Sequence, residues 1–227
     1  MRDTAVKERQ IPEDTVRPSG QWGRRTGGPP PVPRLIPVLA VLVAVLAVIK
    51  LIDPFAPQVQ EEPAVELPQW VEEDLLPLNP YSRPGDPLEQ VNGIVVHYVG
   101  NPATTAAQNH NYFAGLAATG ETYASSHFLV GLEGEVLLNV PLDEIAYCSN
   151  TRNGDTISIE CCHPDDTGEF TAATYESLVT LTRWLMETYG LDTGQILRHY
   201  DITGKECPRY FVQHPEEWEN FLSALEE

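Results

Sequence analysis

The apolar positions beyond about residue 90 fall into short β-type runs and longer helical stripes. Residues 93–98, Gly-Ile-Val-Val-His-Tyr, are a β-branched apolar run and predict a buried strand ending at His97. Residues 125–130 and 135–140 flank Gly131-Leu132-Glu133-Gly134 and predict a hairpin. Residues 156–161, Thr-Ile-Ser-Ile-Glu-Cys, alternate polar and apolar; that puts Ile157 and Ile159 on one face of a strand and Ser158 and Glu160 on the other. A shorter strand is predicted over 196–200, ending at His199. Tyr175, Leu178, Leu181, Leu185 and Tyr189 share one helical stripe, which predicts a helix over 172–189 stopped by Gly190. Two more helices are expected over 104–116 and 216–225. Strands interleaved with helices imply an α/β fold: a single domain with a central mixed sheet flanked by helices.

The rest of the chain reads differently. Residues 1–34 are rich in Pro, Gly and Arg and poor in large apolar side chains, so they are expected to be a disordered arm. Residues 35–52 are almost wholly apolar, with Lys50 placed to snorkel. At about 1.5 Å per residue such a run nearly crosses a ~30 Å hydrocarbon layer. A buried core helix fits poorly after a disordered arm. A cleaved signal peptide fits poorly with so long a leading segment and no clear small-x-small site. A transmembrane signal anchor fits best. Residues 53–67 are acidic and contain Pro, as in a spacer, and 68–227 are left for the compact domain.

Charge sets the orientation. Residues 1–34 carry seven Lys/Arg against four Asp/Glu, whereas beyond residue 50 there are six against 29. Positive segments stay on the cytoplasmic side, so the domain is expected outside a cell membrane, on a single-pass chain. The formal net charge of −19 excludes nucleic acid as a partner. In an exported domain four cysteines raise the question of disulfides. Cys161 and Cys162 are adjacent and would point to opposite faces of a strand; Cys148 pairing with one of them and plain buried thiols both remain open.

The candidate chemistry rests on His97, His199 and Cys207. Two imidazoles and a thiolate suit Zn²⁺, and three protein ligands leave a position open, as catalytic zinc requires. A core histidine at 97 and a disulfide at 207 are the plainer readings. Glu160 is either a solvent-facing carboxylate or a general base in the zinc cleft. Lys205 is either a solvated loop lysine or a positive charge beside a developing oxyanion. His127 is either a further polar group of the cleft or a structural residue. A thiol hydrolase using Cys207 as nucleophile is a rival reading.

Together these segments resemble the zinc-dependent N-acetylmuramoyl-L-alanine amidases of the type-2 amidase and peptidoglycan recognition protein group, over about residues 88–215. The resemblance rests on Gly93-Ile94-Val95-Val96-His97-Tyr98, Ser125-Ser126-His127-Phe128-Leu129-Val130, Ser158-Ile159-Glu160 and His199-Tyr200-Asp201-x3-Lys205-x-Cys207-Pro208. It implies the type-2 amidase fold, zinc held by His97, His199 and Cys207, transition-state stabilisation by Lys205 and acid/base catalysis by Glu160. It also implies hydrolysis of the amide between N-acetylmuramic acid and L-alanine in peptidoglycan by an enzyme expected to act as a monomer and facing the wall. Asn101, Ser126 and His127 are candidate substrate contacts. Phage-type members carry a catalytic Tyr just before the position of His127; here that residue is Ser126, which shifts weight to Glu160. A non-catalytic peptidoglycan sensor on the same fold is the alternative, although such relatives typically lose the Cys ligand that is present here.

Overall fold

A computed structural model of the chain describes residues 65–227. The expected arm and membrane anchor, and the spacer up to residue 64, lie outside the described residues. Among the described residues no helix is long and apolar enough to cross a membrane.

Six strands form one mixed sheet. They are β1 (Val71–Glu73), β2 (Ile94–Tyr98), β3 (Phe128–Val130), β4 (Val136–Leu138), β5 (Ile157–Cys161) and β6 (Ile196–Arg198), in the spatial order β1-β4-β3-β5-β2-β6. β3 and β4 are the antiparallel hairpin, and every other pairing is parallel. Among the described residues five helices accompany the sheet: α1 (Ala106–Thr119), α2 (Ala172–Tyr189), α3 (His199–Thr203), α4 (Arg209–Gln213) and α5 (Pro215–Leu225). Between β4 and β5 lies a single 3₁₀ turn, Asn150–Arg152.

Helix boundaries follow their caps. Thr105 accepts from the Gln108 amide, and the Gln108 side chain accepts from the Thr105 amide, so α1 starts two residues later than its apolar pattern suggests. It runs on to Gly120, whose left-handed backbone ends it. α2 matches its predicted range, capped by Thr171 and ended by left-handed Gly190.

The larger core lies on one face of the sheet. Ile94, Val96, Phe128, Ile157, Ile159 and Cys161 meet Leu178, Leu181 and Leu185 of α2 and Trp218 and Phe221 of α5. Leu67, at the end of the expected spacer, also packs against it. On the opposite face Leu129, Leu137 and Cys162 meet Phe113 of α1. Cys161 and Cys162 therefore do face opposite ways, and all four cysteines are free thiols.

β3 and β6 are among the strands shorter than their patterns. β3 starts at Phe128 because Ser125 and His127 bond elsewhere: the Ser125 amide donates to Tyr147 O and the His127 amide to Ser158 Oγ. β6 ends at Arg198, whose amide donates to Asp201 Oδ2 and so opens α3. His199 is thus the first residue of a short helix and not the last of a strand. His97 is the penultimate residue of β2.

Candidate metal centre

β2 and β5 run parallel in a register that sets His97 beside Glu160. Alternation sends both side chains to the face opposite Ile94, Val96 and Ile159, near the C-terminal ends of the strands. Open α/β sheets bind ligands in the crevice outside those ends. α3 brings His199 over the same point, and the loop after it returns Cys207. That loop is fixed by its backbone: the Tyr200 amide donates to Cys207 O at 2.9 Å and the Cys207 amide to Lys205 O at 2.7 Å.

His97, His199 and Cys207 offer ligand atoms within 4.8 Å of one another. His97 Nδ1 is 3.2 Å from His199 Nδ1 and 3.8 Å from Cys207 Sγ. A tetrahedral zinc with ordinary bond lengths needs N···N and N···S separations of about 3.3 and 3.6 Å. Hydrogen bonding on the far side of the rings agrees. His199 Nε2 donates to Asn150 Oδ1 at 2.7 Å, and His97 Nε2 lies 3.2 Å from Ser149 Oγ. The first contact puts the proton of neutral His199 on Nε2 and leaves the Nδ1 lone pair aimed inward, the arrangement typical of metal-ligating histidines. Burial holds His97 well below the usual histidine range, helped by His199 and Lys205, and burial with Lys205 also lowers His199. Both shifts favour the neutral form of the ring, the form that ligates a metal. Burial and the nearby Glu160 push the Cys207 thiol up to about 12, so a cation is what would draw it into the thiolate form. The donor set fits zinc.

Glu160 is half-buried as a residue, yet its Oε2 is cut off from solvent and has no hydrogen-bond partner. Its Oε1 lies 3.5 Å from Cys148 Sγ. Glu160, His97 and Cys148 offer ligand atoms within 4.8 Å of one another, and an orphaned carboxylate oxygen in such a place calls for a reactant or an ion as its partner. Burial raises the Glu160 carboxyl from 4.5 to about 8, against the opposing effects of Cys148 and Lys205. In the metal-free protein the folded state thus retains a proton that the unfolded chain gives up. The stability tied to that proton is complete below pH 4.5 and is lost as pH rises to about 8. Across that window the denaturation midpoint of the metal-free wild type should fall relative to that of Glu160→Gln; parallel midpoints would refute the burial of this charge.

A cleft of about 320 Å³ holds these groups, lined by His97, Glu160, His199 and Lys205 together with Cys148, Asn150, Tyr123 and Tyr147. Lys205 is exposed at its rim. Asn101, Ser126 and His127 do not line it. Asn101 is exposed on the loop before α1 and its carbonyl accepts from Thr104. Ser126 is fully buried, its hydroxyl spent on Phe128 O. His127 is also buried: its Nδ1 accepts from the Ser158 amide, and its Nε2 donates to Glu144 O at 2.9 Å. Both of its ring nitrogens are engaged within the fold, so it is a structural histidine, held neutral by burial at about 4.

Sequence reasoning missed Cys148, Ser149 and Asn150. Asn153 Oδ1 accepts from the Cys148 and Ser149 amides and shapes their turn, and Asn150 adopts φ 53°, a left-handed conformation asparagine tolerates. The Ser-Asn-x-x-Asn spacing was the available signal for a built turn.

The sequence family described as N-acetylmuramoyl-L-alanine amidase matches residues 87–210. A probable N-acetylmuramoyl-L-alanine amidase of Bacillus licheniformis is 34% identical over 148 residues, covering 60% of this chain and 41% of the relative. The amidase CwlL of the same organism is 32% identical over 169 residues, covering 69% and 46%. The chain therefore spans less than half the length of these curated relatives. Among solved structures, the catalytic domain of XlyA is 26% identical with a TM-score of 0.58, covering 68% of this chain and 98% of that one. A mutant endolysin from Bacillus subtilis is 25% identical with the same TM-score, covering 68% and 97%. With the family match spanning more than half of its residues and an overall fold shared with the catalytic domain of XlyA, the chain belongs to the N-acetylmuramoyl-L-alanine amidase family of the type-2 group.

Proposed function

We propose that the cleft hydrolyses the amide joining the lactyl group of N-acetylmuramic acid to L-alanine in peptidoglycan, with zinc held by His97, His199 and Cys207. The observation that carries this reading is the orphaned Glu160 carboxylate set beside His97 in the cleft that His199 also lines, in a chain of this family. When bound, zinc supplies Lewis-acid polarisation of the scissile carbonyl and acidifies water. A cation in the cleft also favours the charged form of Glu160, opposing its burial.

Glu160 takes the proton of the attacking water as its oxygen bonds to the carbonyl carbon. It then delivers that proton to the nitrogen as the carbon–nitrogen bond breaks. The products are a lactyl carboxylate on the sugar and a free amine on L-alanine. Lys205, on the loop that carries Cys207, stands at the rim where negative charge builds on the carbonyl oxygen. Asn150 and Ser149 hold the two imidazoles in orientation. The catalytic Tyr of phage-type members has no counterpart at Ser126, so proton transfer rests on Glu160.

Mass spectrometry of purified peptidoglycan digested by the full chain tests the bond. Free stem peptides beginning with L-alanine are the expected products. Binding to the wall without release of any fragment would replace this reading with a peptidoglycan sensor.

We further propose that residues 35–52 anchor the chain in the cell membrane with the catalytic domain on the outer side, supported by the apolar run and the charge asymmetry around it. Cell fractionation should recover the full-length chain with membranes and leave the domain open to protease added outside intact wall-free cells; a chain recovered in the medium or shielded from protease would overturn this.

A further inference from the structure

The cleft does not end at Tyr123 and Tyr147. The same two residues form one wall of a second, shallow hollow of about 510 Å³, whose remaining lining is Leu78, Asn79, Pro80 and Pro84. Leu78 is 67% exposed and Tyr123 62%, the two most exposed large apolar side chains among the described residues. Contiguous apolar surface rimmed by polar groups is one mark of a ligand groove. Residues 78–84 of this shelf precede the stretch that matches the family model, whereas Tyr123 and Tyr147 lie within it.

The shelf is built to keep its shape. Asn79 Oδ1 accepts from the Tyr81 and Ser82 amides while its Nδ2 donates to Pro77 O and Ser82 Oγ. Arg83 clamps Glu144 with two bonds of 2.7 Å and donates a third to Leu76 O, tying the segment to the loop after β4. Gly85, at φ 76°, leaves room for Leu78, whose Cδ2 would lie 3.0 Å from an added Cβ. Tyr81 packs on Tyr123 at 5.4 Å between centroids, and Tyr123 meets Tyr147 edge-on at 5.6 Å. Little ordering entropy is then left to lose on binding.

Two parts of the substrate leave the scissile amide, the glycan strand and the stem peptide, and charge separates them. Among the described residues no ionised side chain lines the shelf. Arg83 is already committed to Glu144, and the acidic group bearing on Tyr147 is Asp86. A stem peptide carries carboxylates that would find no cation here. A pyranose ring is neutral, with an apolar C–H face suited to Tyr, Leu and Pro and hydroxyls suited to the edge of the shelf. We propose that the Leu78–Tyr123–Tyr147 shelf is a carbohydrate subsite that holds a neutral sugar ring of the glycan strand beside the muramoyl unit being cleaved.

This subsite rests on the amidase reading only for its substrate, and the test separates the two. The full chain is titrated calorimetrically with chitotetraose, a neutral, peptide-free glycan. Wild type should bind, and Tyr123→Ala and Leu78→Asp should each weaken binding roughly tenfold. In kinetics, Leu78→Asp should lower kcat/KM on a disaccharide-peptide oligomer roughly tenfold more than on a single-sugar muramoyl dipeptide. Because Leu78 is solvent-exposed, the fold should survive, which thermal denaturation verifies. Chitotetraose that fails to bind wild type overturns the subsite, as does an equal loss on both substrates or a shelf variant that weakens free stem peptide instead. Tyr123-dependent glycan binding without any cleavage by wild type would support the subsite and refute the amidase reading.

Discussion

Glu160→Gln is expected to lower kcat by about 10²–10⁴-fold while zinc content is unchanged. Gln keeps the shape of the side chain but cannot take up the proton of the attacking water. Among the described residues no other carboxylate lines the cleft, so none of them can take over the role. Lys205 is the other group proposed to act in the chemistry, and it is exposed at the rim, where water screens its charge. The buried, partnerless carboxylate therefore carries more of the barrier than the exposed ammonium. Metal analysis of the variant together with steady-state kinetics on muramoyl peptides checks both halves. Retained activity would remove Glu160 from the chemistry, and a loss of zinc would recast it as a ligand.

The second large effect concerns the metal. Cys207→Ser should reduce zinc affinity by at least about 100-fold and bring wall hydrolysis to background. Cys207 is 1% exposed and pinned through both its amide and its carbonyl, so a hydroxyl would sit in the same place without supplying the soft thiolate. The same substitution would also silence a thiol nucleophile, so chelation of the wild type has to separate the two. A metallohydrolase loses activity on chelation and regains it with zinc, whereas a thiol hydrolase survives chelation and is lost on alkylation.

The elements that form the site were legible where local patterns decide. The β2 run, the β5 alternation and the α2 stripe each follow from side-chain period, and the alternation puts Glu160 on the face of its strand opposite Ile157 and Ile159. What the pattern cannot carry is register between parallel strands joined by long crossovers, so the pairing of His97 with Glu160 emerged only in three dimensions. His199 was misplaced at a strand end because its short helix is opened by an Asp201 cap, a side-chain decision invisible to periodicity. Ser126 and His127 were drawn toward the cleft by their closeness in sequence to a core strand, but their polar atoms are spent inside the fold. The turn carrying Cys148, Ser149 and Asn150 went unnoticed because turns have no period; only its asparagines could have pointed to it. The wider shelf at Leu78 and Pro80 reads in sequence as an ordinary turn-rich segment, and its meaning comes from the tyrosines packed beside it.

The most direct test is hydrolysis of muropeptides by the zinc-loaded full chain in water enriched with ¹⁸O, read by mass spectrometry. The account predicts one ¹⁸O in the lactyl carboxylate of N-acetylmuramic acid and an unlabelled stem peptide with a free L-alanine amine. Label at a peptide carboxylate within the stem, or at a sugar reducing end, would contradict it.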